Sequence, residues 1–390
     1  MEHLLSKRIT GQGSSRIREL LRVTEQPGML SMAGGLPAPA TFPTDLLATA
    51  FARATALHGP TGPVAWQYGP TEGAAPLREQ VALEHAVPLE QVLVTTGSQQ
   101  SLDLLARVLC DDGDVIAVEH PTYLGALQAF RLAGATVVGV PGDGDGLDTS
   151  ALEGELRAGL RPKAVYVVVN FHNPTGTTLA AERRRHLVEL ADRYGFVVIE
   201  DDPYGALRFA GAGVPSMGAP DAPVVRLGTA SKVLAPGLRV GWMSGPHPII
   251  AAAIRAKQAV DLHTSSVAQL IVAQARADAA AFTVHLDAAR AHYAAQAAAL
   301  ADAVEHHLPH ARFARPDGGM FLWVDLGMPT EPLLAAAVSR GVAFVPGEAF
   351  GAPGADPATV ETRVRLSFAT LTPAELDDAT SRLATAIAAR

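Results

Sequence analysis

Between Val92 and Met243 short apolar runs alternate with longer amphipathic segments, and that rhythm predicts most of the architecture. The runs Val92–Thr95, Val115–Val118, Thr136–Val140, Ala164–Val169, Phe196–Ile199, Val224–Leu227 and Val240–Met243 read as strands. Helices are expected between them at Ser98–Val108, Leu124–Leu132, Thr149–Ala158 and Ala181–Tyr194. These strands are apolar almost throughout instead of alternating with polar residues, so both faces of their sheet must be covered. The expected fold is therefore α/β, a mainly parallel seven-stranded sheet with helices on both faces. Ligands of such sheets bind beyond the carboxyl ends of the strands, so the loops there are where chemistry belongs.

The flanking segments follow other patterns. Residues 1–13 read as a polar arm, followed by a short helix at Ser14–Val23 that carries Arg16 and Arg18 and stops at Gln26-Pro27-Gly28. A short apolar strand at Met29–Met32 runs into Gly34 and Gly35, where backbone can approach a ligand closely or simply turn. Helices are expected at Thr44–Leu57 and Ala75–His85, with a loop between them that holds Trp66 and Tyr68. Beyond Pro246 the chain becomes alanine-rich and helical, with a long helix at Thr283–His307. Strands at Met320–Asp325, Val342–Val345 and Arg363–Ser367 and a last helix at Pro373–Ala388 then suggest a smaller α+β unit. The expected division is an arm (1–13), the first part of a small domain (14–45), a large domain (46–282) and the rest of the small domain (283–390).

Composition narrows the class. With 390 residues, 48% of them hydrophobic, the chain can bury a large core. A net charge of −8 without any basic run argues against nucleic acid and anionic membranes as partners. The single cysteine, Cys110, excludes an internal disulfide framework and suits a reducing compartment. Neither a leader-like apolar stretch at the start nor a membrane-length apolar run is visible, so a cytoplasmic location is expected.

The candidate chemistry lies in the loops after the strands. In Thr95-Thr96-Gly97-Ser98-Gln99-Gln100 a strand ends as a helix begins, so free amides and the helix dipole favour an anion; Ser98 as a plain cap is the competing reading. Asn170-Phe171-His172-Asn173-Pro174-Thr175-Gly176 forces a turn, and Asn173 either donates to a phenolate-like oxygen or only shapes that turn. Ile199-Glu200-Asp201-Asp202-Pro203-Tyr204 places three carboxylates against an apolar run, where an acid needs a cationic partner. No histidine pair or helix-spaced acid accompanies them, so no metal is expected, and His172 and His263 read as structural. The densest stretch is Leu227–Trp242, in which Lys232 shares a turn with Thr229, Ser231 and Arg239. Burial beside Arg239 lowers the pKa of an amine toward nucleophilic use, whereas most lysines merely cap helices or snorkel. An amine of that kind, an anion socket and a buried acid are together what pyridoxal phosphate requires.

Taken in order, several motifs resemble the fold-type-I aminotransferases, specifically the branch of the 2-aminoadipate and multi-substrate enzymes. They are Ser31-Met32-Ala33-Gly34-Gly35-Leu36-Pro37, Gln67-Tyr68-Gly69-Pro70-Thr71-Glu72-Gly73, Thr96–Gln100, Asn173-Pro174-Thr175-Gly176, Asp201-Asp202-Pro203-Tyr204, Ser231-Lys232 with Arg239, and Arg363-Val364-Arg365-Leu366-Ser367. The resemblance implies an aspartate-aminotransferase-like large domain and a homodimer with shared active sites. It implies that Lys232 bonds the aldehyde of pyridoxal 5′-phosphate and later moves a proton at the substrate Cα, with Asp201 against the ring nitrogen. Asn173 and Tyr204 would meet the ring hydroxyl and Tyr123 the ring face. The phosphate would take Gly97, Ser98, Gln99, Thr229, Ser231, Arg239 and Tyr68 of a second subunit. Arg365, with Gly35 and Asn173, would hold the α-carboxylate of an L-amino acid or a 2-oxo acid, and the acceptor that the resemblance implies is 2-oxoglutarate. Arg18 stands where relatives contact a distal carboxylate, although it reads equally as a solvated helix residue. Two departures, Thr229 in place of serine and Pro203 in place of alanine, remove no reactive group. The same contacts would also serve a cyclase, lyase or oxidase. A ligand-sensing regulator on this fold would need a DNA-binding module ahead of it, which the short stretch before Ser14 does not supply.

Overall fold

The computed structural model describes residues 4–10, 28–59 and 62–390. The expected helix at Ser14–Val23, with Arg16 and Arg18, lies outside the described residues. Within the arm, Lys7–Thr10 form a single helical turn, and Arg8 pairs with Asp112 at 2.5 Å.

Short strands β1 (Leu30–Ser31), β2 (His58–Gly59) and β3 (Gly62–Pro63) come first. The main sheet then comprises β4 (Val92–Thr95), β5 (Val115–His120), β6 (Thr136–Asp143), β7 (Gly146–Leu147), β8 (Pro162–Val168), β9 (Val197–Asp201), β10 (Val224–Thr229) and β11 (Gly241–Ser244). Their spatial order is β4-β11-β10-β9-β8-β5-β6-β7. The neighbours from β10 through β6 are parallel. β11 alone among the seven expected strands runs antiparallel to both its neighbours, β10 and β4. The eighth strand, β7, is two residues folded back on β6, too short to leave a periodic signal. Because β11 is reversed, β4, β10, β9, β8 and β5 all release their chain at the same edge.

Both faces are covered, as continuous apolar strands require. On one face Ile116, Val118, Ala164, Tyr166 and Val168 pack with Leu102, Leu105, Leu127 and Phe130 of the helices Ser98–Leu109 and Leu124–Leu132. On the other, Ala117, Val165, Val167 and Val198 meet Leu152, Leu187 and Leu190 of the helices Thr149–Arg157 and Ala181–Tyr194. Each fully buried side chain of this size contributes roughly 1.5–3 kcal/mol. Helices Ser266–Ala277 and Ala75–His85 bury the β4 and β11 end with Val92, Val94 and Trp242.

A second sheet of β12 (Phe321–Asp325), β14 (Val345–Pro346) and β15 (Arg363–Ser367) has β15 at its centre, with Arg365 opposite both Trp323 and Val345. The run Val342–Val345, expected as one strand, is two: β13 (Val342–Ala343) pairs in parallel with β1, and β14 joins β15 across the break at Phe344. The long helix starts at Ala279, ahead of Thr283, because the Asp278 side chain accepts a bond from the Ala281 amide and caps it there. A helix at Glu331–Val338 has no counterpart in the sequence reading, since its apolar run shows no polar face to set a period. Among the described residues no helix is long and apolar enough to cross a membrane.

Candidate active site

A cavity of about 540 Å³ opens at the carboxyl edge of the main sheet, under the second sheet. Its floor is the turn after β4. Gly97 sits at φ +79°, and a Cβ there would come within 2.5 Å of Arg239 Nη2, so glycine lets the arginine lie against the turn. Ser98 and Gln99 open the following helix with their amides toward the cavity edge, the ready-made arrangement for an anion. Arg239, Thr229 and Ser231 close the same corner: Arg239 Nη1 donates to Ser231 Oγ at 3.5 Å, and Thr229 Oγ1 accepts from the Ser231 amide at 3.1 Å. Three hydroxyls, a guanidinium and a helix amino end meet in a corner suited to an anion such as phosphate.

Lys232 rises beside it, with Nζ donating to the Gly35 carbonyl at 2.8 Å. Burial, then the positive charges of Arg365 and Arg239, bring its pKa down to about 8, so a substantial neutral fraction exists near physiological pH. At the opposite wall Asp201 ends β9 with 3% exposure; its Oδ2 accepts the Tyr166 hydroxyl at 2.9 Å, and its Oδ1 is buried with no hydrogen-bond partner among the described residues. Burial pushes this carboxyl up to about 7, the Tyr166 bond opposes that shift and Asp202 adds to it. A bare carboxylate oxygen in a buried wall asks for a cation.

The ends of β8 and β9 are bolted together behind this wall. Asn170 Nδ2 donates to Asp202 Oδ2 at 2.8 Å, and the buried Arg184 holds Asn170 Oδ1 and the Val169 carbonyl at 3.0 and 2.7 Å. That bolt fixes the turn through Asn173, whose Oδ1 accepts Arg365 Nη1 at 2.8 Å and whose side chain also hydrogen-bonds Tyr204. Tyr123 faces the cavity from the next loop, its hydroxyl 3.4 Å from Gln99 Oε1.

Arg365, only 2% exposed, points in from the second sheet. Nη2 donates to the Ala33 carbonyl at 2.6 Å, Nε has no partner among the described residues, and the rings of Phe321 and Phe350 lie 4.2 and 5.0 Å from its Cζ. Burial brings this guanidinium down to about 10, still a cation at working pH. A flat cation wedged between two rings, with donors to spare, is built for a planar carboxylate. Lys232 and Arg365 both donate to the backbone of residues 33–35, so the amine and the guanidinium share one cavity.

A family model for aminotransferases of class I and II matches residues 44–383. The chain belongs to that family. It is 41% identical over 384 residues to a 2-aminoadipate transaminase of Thermus thermophilus, covering 96% of this chain and 94% of the relative. It is 38% identical over 401 residues to aromatic-amino-acid aminotransferase 1 of Thermococcus litoralis, covering 99% and 94%. Among solved structures, the Thermus thermophilus α-aminoadipate aminotransferase complexed with N-(5′-phosphopyridoxyl)-L-leucine superimposes with a TM-score of 0.88 at 39% identity, covering 100% of this chain and 98% of the other. A Pyrococcus horikoshii kynurenine aminotransferase in complex with PMP gives 0.91 at 36%, with the same coverage. This class I and II aminotransferase is an aspartate-aminotransferase-like, fold-type-I enzyme whose cofactor is pyridoxal 5′-phosphate. The residues fit the cofactor: an amine for the aldehyde, a socket for the phosphate and the partnerless Asp201 Oδ1 for a protonated ring nitrogen.

Of the residues the aminotransferase motifs singled out, Gly35, Ser98, Gln99, Tyr123 and Asn173 border the cavity, as do Asp201, Tyr204, Thr229, Ser231, Lys232, Arg239 and Arg365. Gly97 lies just behind it, as packing space for Arg239. Tyr68 is not in the cavity of its own chain; it is 79% exposed, edge-on to His263 at 5.7 Å. Arg18 lies outside the described residues. Four aromatic or proline residues at the site were not anticipated: Tyr166, Phe321, Pro236 and, behind Arg365, Phe350. Tyr166 and Phe321 stand inside apolar strands, where an aromatic reads as core, so the sequence carried no separate signal for them.

Proposed function

We propose that this aminotransferase moves the amino group of an L-α-amino acid, 2-aminoadipate and glutamate among the donors, to a 2-oxo acid, with 2-oxoglutarate as the usual acceptor. The observation that carries the reading is the pairing in one cavity of a lowered-pKa amine, Lys232, with a buried guanidinium, Arg365. The names of the Thermus and Thermococcus relatives support the donor class.

Bound pyridoxal phosphate supplies the aldehyde that takes up the amino group and a ring that accepts electrons from Cα. Arg365 binds the α-carboxylate by two parallel bonds and sets which substituent of Cα faces Lys232. Lys232 Nζ, released from its covalent role, would move the proton between the substrate Cα and the C4′ carbon of the cofactor, in one direction in the first half-reaction and in the other in the second. Asp201 holds a compensating negative charge at its unpartnered oxygen, while Asn173 and Tyr204 supply polar contacts at the wall between them. Arg239, Ser98 and the neighbouring hydroxyls bind phosphate dianion and remain in place throughout. Donor and acceptor both need the Arg365 contact, so they occupy the site in turn, which makes the kinetics ping-pong.

The same proposal includes a cytoplasmic homodimer in which Tyr68 reaches the phosphate of the partner's site. The exposure of Tyr68 at 79%, Trp66 at 64%, Leu36 at 58% and Leu262 at 47% supports a covered face there. It also assigns the cofactor contacts to residues 46–282 and the carboxylate contact to 283–390. The test is the absorption spectrum of the purified holoenzyme with single amino acids and no oxo acid. Conversion of the yellow form to the pyridoxamine form, reversed by 2-oxoglutarate, is expected. Ammonia release, or return of the yellow form without oxo acid, would instead assign a lyase or oxidase.

A further inference from the structure

We infer that Tyr166 is the positioning residue of the Asp201 carboxylate: its hydroxyl occupies one carboxylate oxygen and leaves the other, buried in the cavity wall, without a partner among the described residues. The inference rests on the reading above that Asp201 meets the ring nitrogen of the cofactor. β8 and β9 are parallel neighbours with Tyr166 opposite Ile199 and Val168 opposite Asp201, so Tyr166 and Asp201 are diagonal partners on one face of the sheet. The Tyr166 ring is fully buried and set edge-on against Phe130, with centroids 5.6 Å apart, which fixes the direction of its hydroxyl.

That hydroxyl lies 2.9 Å from Asp201 Oδ2. An ionised carboxylate only accepts, so Tyr166 donates, and the bond favours the charged form. Burial pushes Asp201 the other way, up to about 7, and Asp202 reinforces that push. The remaining titratable groups that face Asp201 are Tyr123 and Tyr204, neither of them a cation. Asp202 is itself occupied by Asn170 and the Gly205 amide, so it offers Asp201 no donor. Among the described residues, Tyr166 is therefore what opposes protonation of Asp201. Burial and the Asp201 charge raise the pKa of the phenol well above its usual value, so it stays a donor at every working pH. A tyrosine that merely filled the core would do none of this.

Tyr166→Phe keeps the ring and removes only the donor. Cofactor-loaded wild type, Tyr166→Phe and Asp201→Asn are compared for kcat and KM between about pH 5 and 9, for cofactor retained after dialysis, and for thermal unfolding of the apoproteins. In Tyr166→Phe we expect kcat near neutrality to fall about tenfold with KM little changed, and the acidic limb of the profile to move up by about one pH unit. Cofactor should also be lost faster, while the apoprotein, short of one buried hydrogen bond, still unfolds in a single transition at a modestly lower midpoint. A wild-type profile and retention in Tyr166→Phe beside a crippled Asp201→Asn overturns this inference alone. So does a loss of activity with an unmoved acidic limb, which marks packing. If Asp201→Asn behaves as wild type, the underlying reading of the site fails instead.

Discussion

Replacing Arg365 by lysine keeps the charge and discards the shape. The guanidinium is 2% exposed, donates to Ala33 O and Asn173 Oδ1 and lies between Phe321 and Phe350 at 4.2 and 5.0 Å. An ammonium offers a substrate carboxylate one point of contact in place of two, which forfeits a charge-assisted hydrogen bond of about 2 kcal/mol. Loss of the stacked planar cation adds about 1 kcal/mol. The sum, about 3 kcal/mol, corresponds to roughly a hundredfold in kcat/KM. The assay is kcat/KM for acidic, neutral and aromatic L-amino acids at saturating oxo acid. Because every one of them carries the same α-carboxylate, the loss should be nearly equal across the panel. A loss confined to acidic donors would show that Arg365 reads the distal group, and the reasoning would fail.

Four further outcomes are expected. In the apoenzyme Lys232 titrates near 8, whereas an unfolded lysine titrates at about 10.4, so cofactor capture followed by absorbance should accelerate as pH rises through 8; a midpoint near 10 refutes the cause given. By the same shift the unfolded chain binds the extra proton in that window, and Lys232 adds to apoenzyme stability as pH rises from about 8 to 10.4. Gly97→Ala places a Cβ 2.5 Å from Arg239 Nη2 at φ +79° and should speed cofactor release in dialysis at least about tenfold, a little over 1 kcal/mol; unaltered retention would remove the turn from the phosphate socket. If Arg18 reads a distal carboxylate, Arg18→Ala should injure glutamate turnover far more than turnover of neutral amino acids, and equal effects would remove Arg18 from distal recognition.

Much of this was legible because strands buried on both faces announce themselves as unbroken apolar runs, and polar residues stand out at their ends. Asp201 ends such a strand, and Asn173 and Lys232 stand in the loops that follow two others. What stayed hidden has the same origin. Tyr166 and Phe321 belong to the runs, and only the register between β8 and β9 shows that the Tyr166 hydroxyl meets a carboxylate. The bonds from Lys232 and Arg365 to the carbonyls of Gly35 and Ala33 involve backbone, on which side-chain pattern is silent. The switch at Phe344 from one sheet to another, and the reversal of β11, are tertiary choices that apolar periodicity does not encode.

That reversal of β11 has a bearing on how the enzyme comes into being. Lys232 and Arg239 sit on the single excursion between β10 and β11, and β11 zips directly between β10 and β4, whose following turn carries Ser98. The residues of one chain that are proposed to hold phosphate are thus all present once the first two-thirds of the polypeptide has been synthesised, with Tyr68 of a second subunit added on assembly, while Arg365 arrives near the end, on another sheet. Order along the chain would bring the proposed cofactor socket into being before the group proposed to recognise an amino acid.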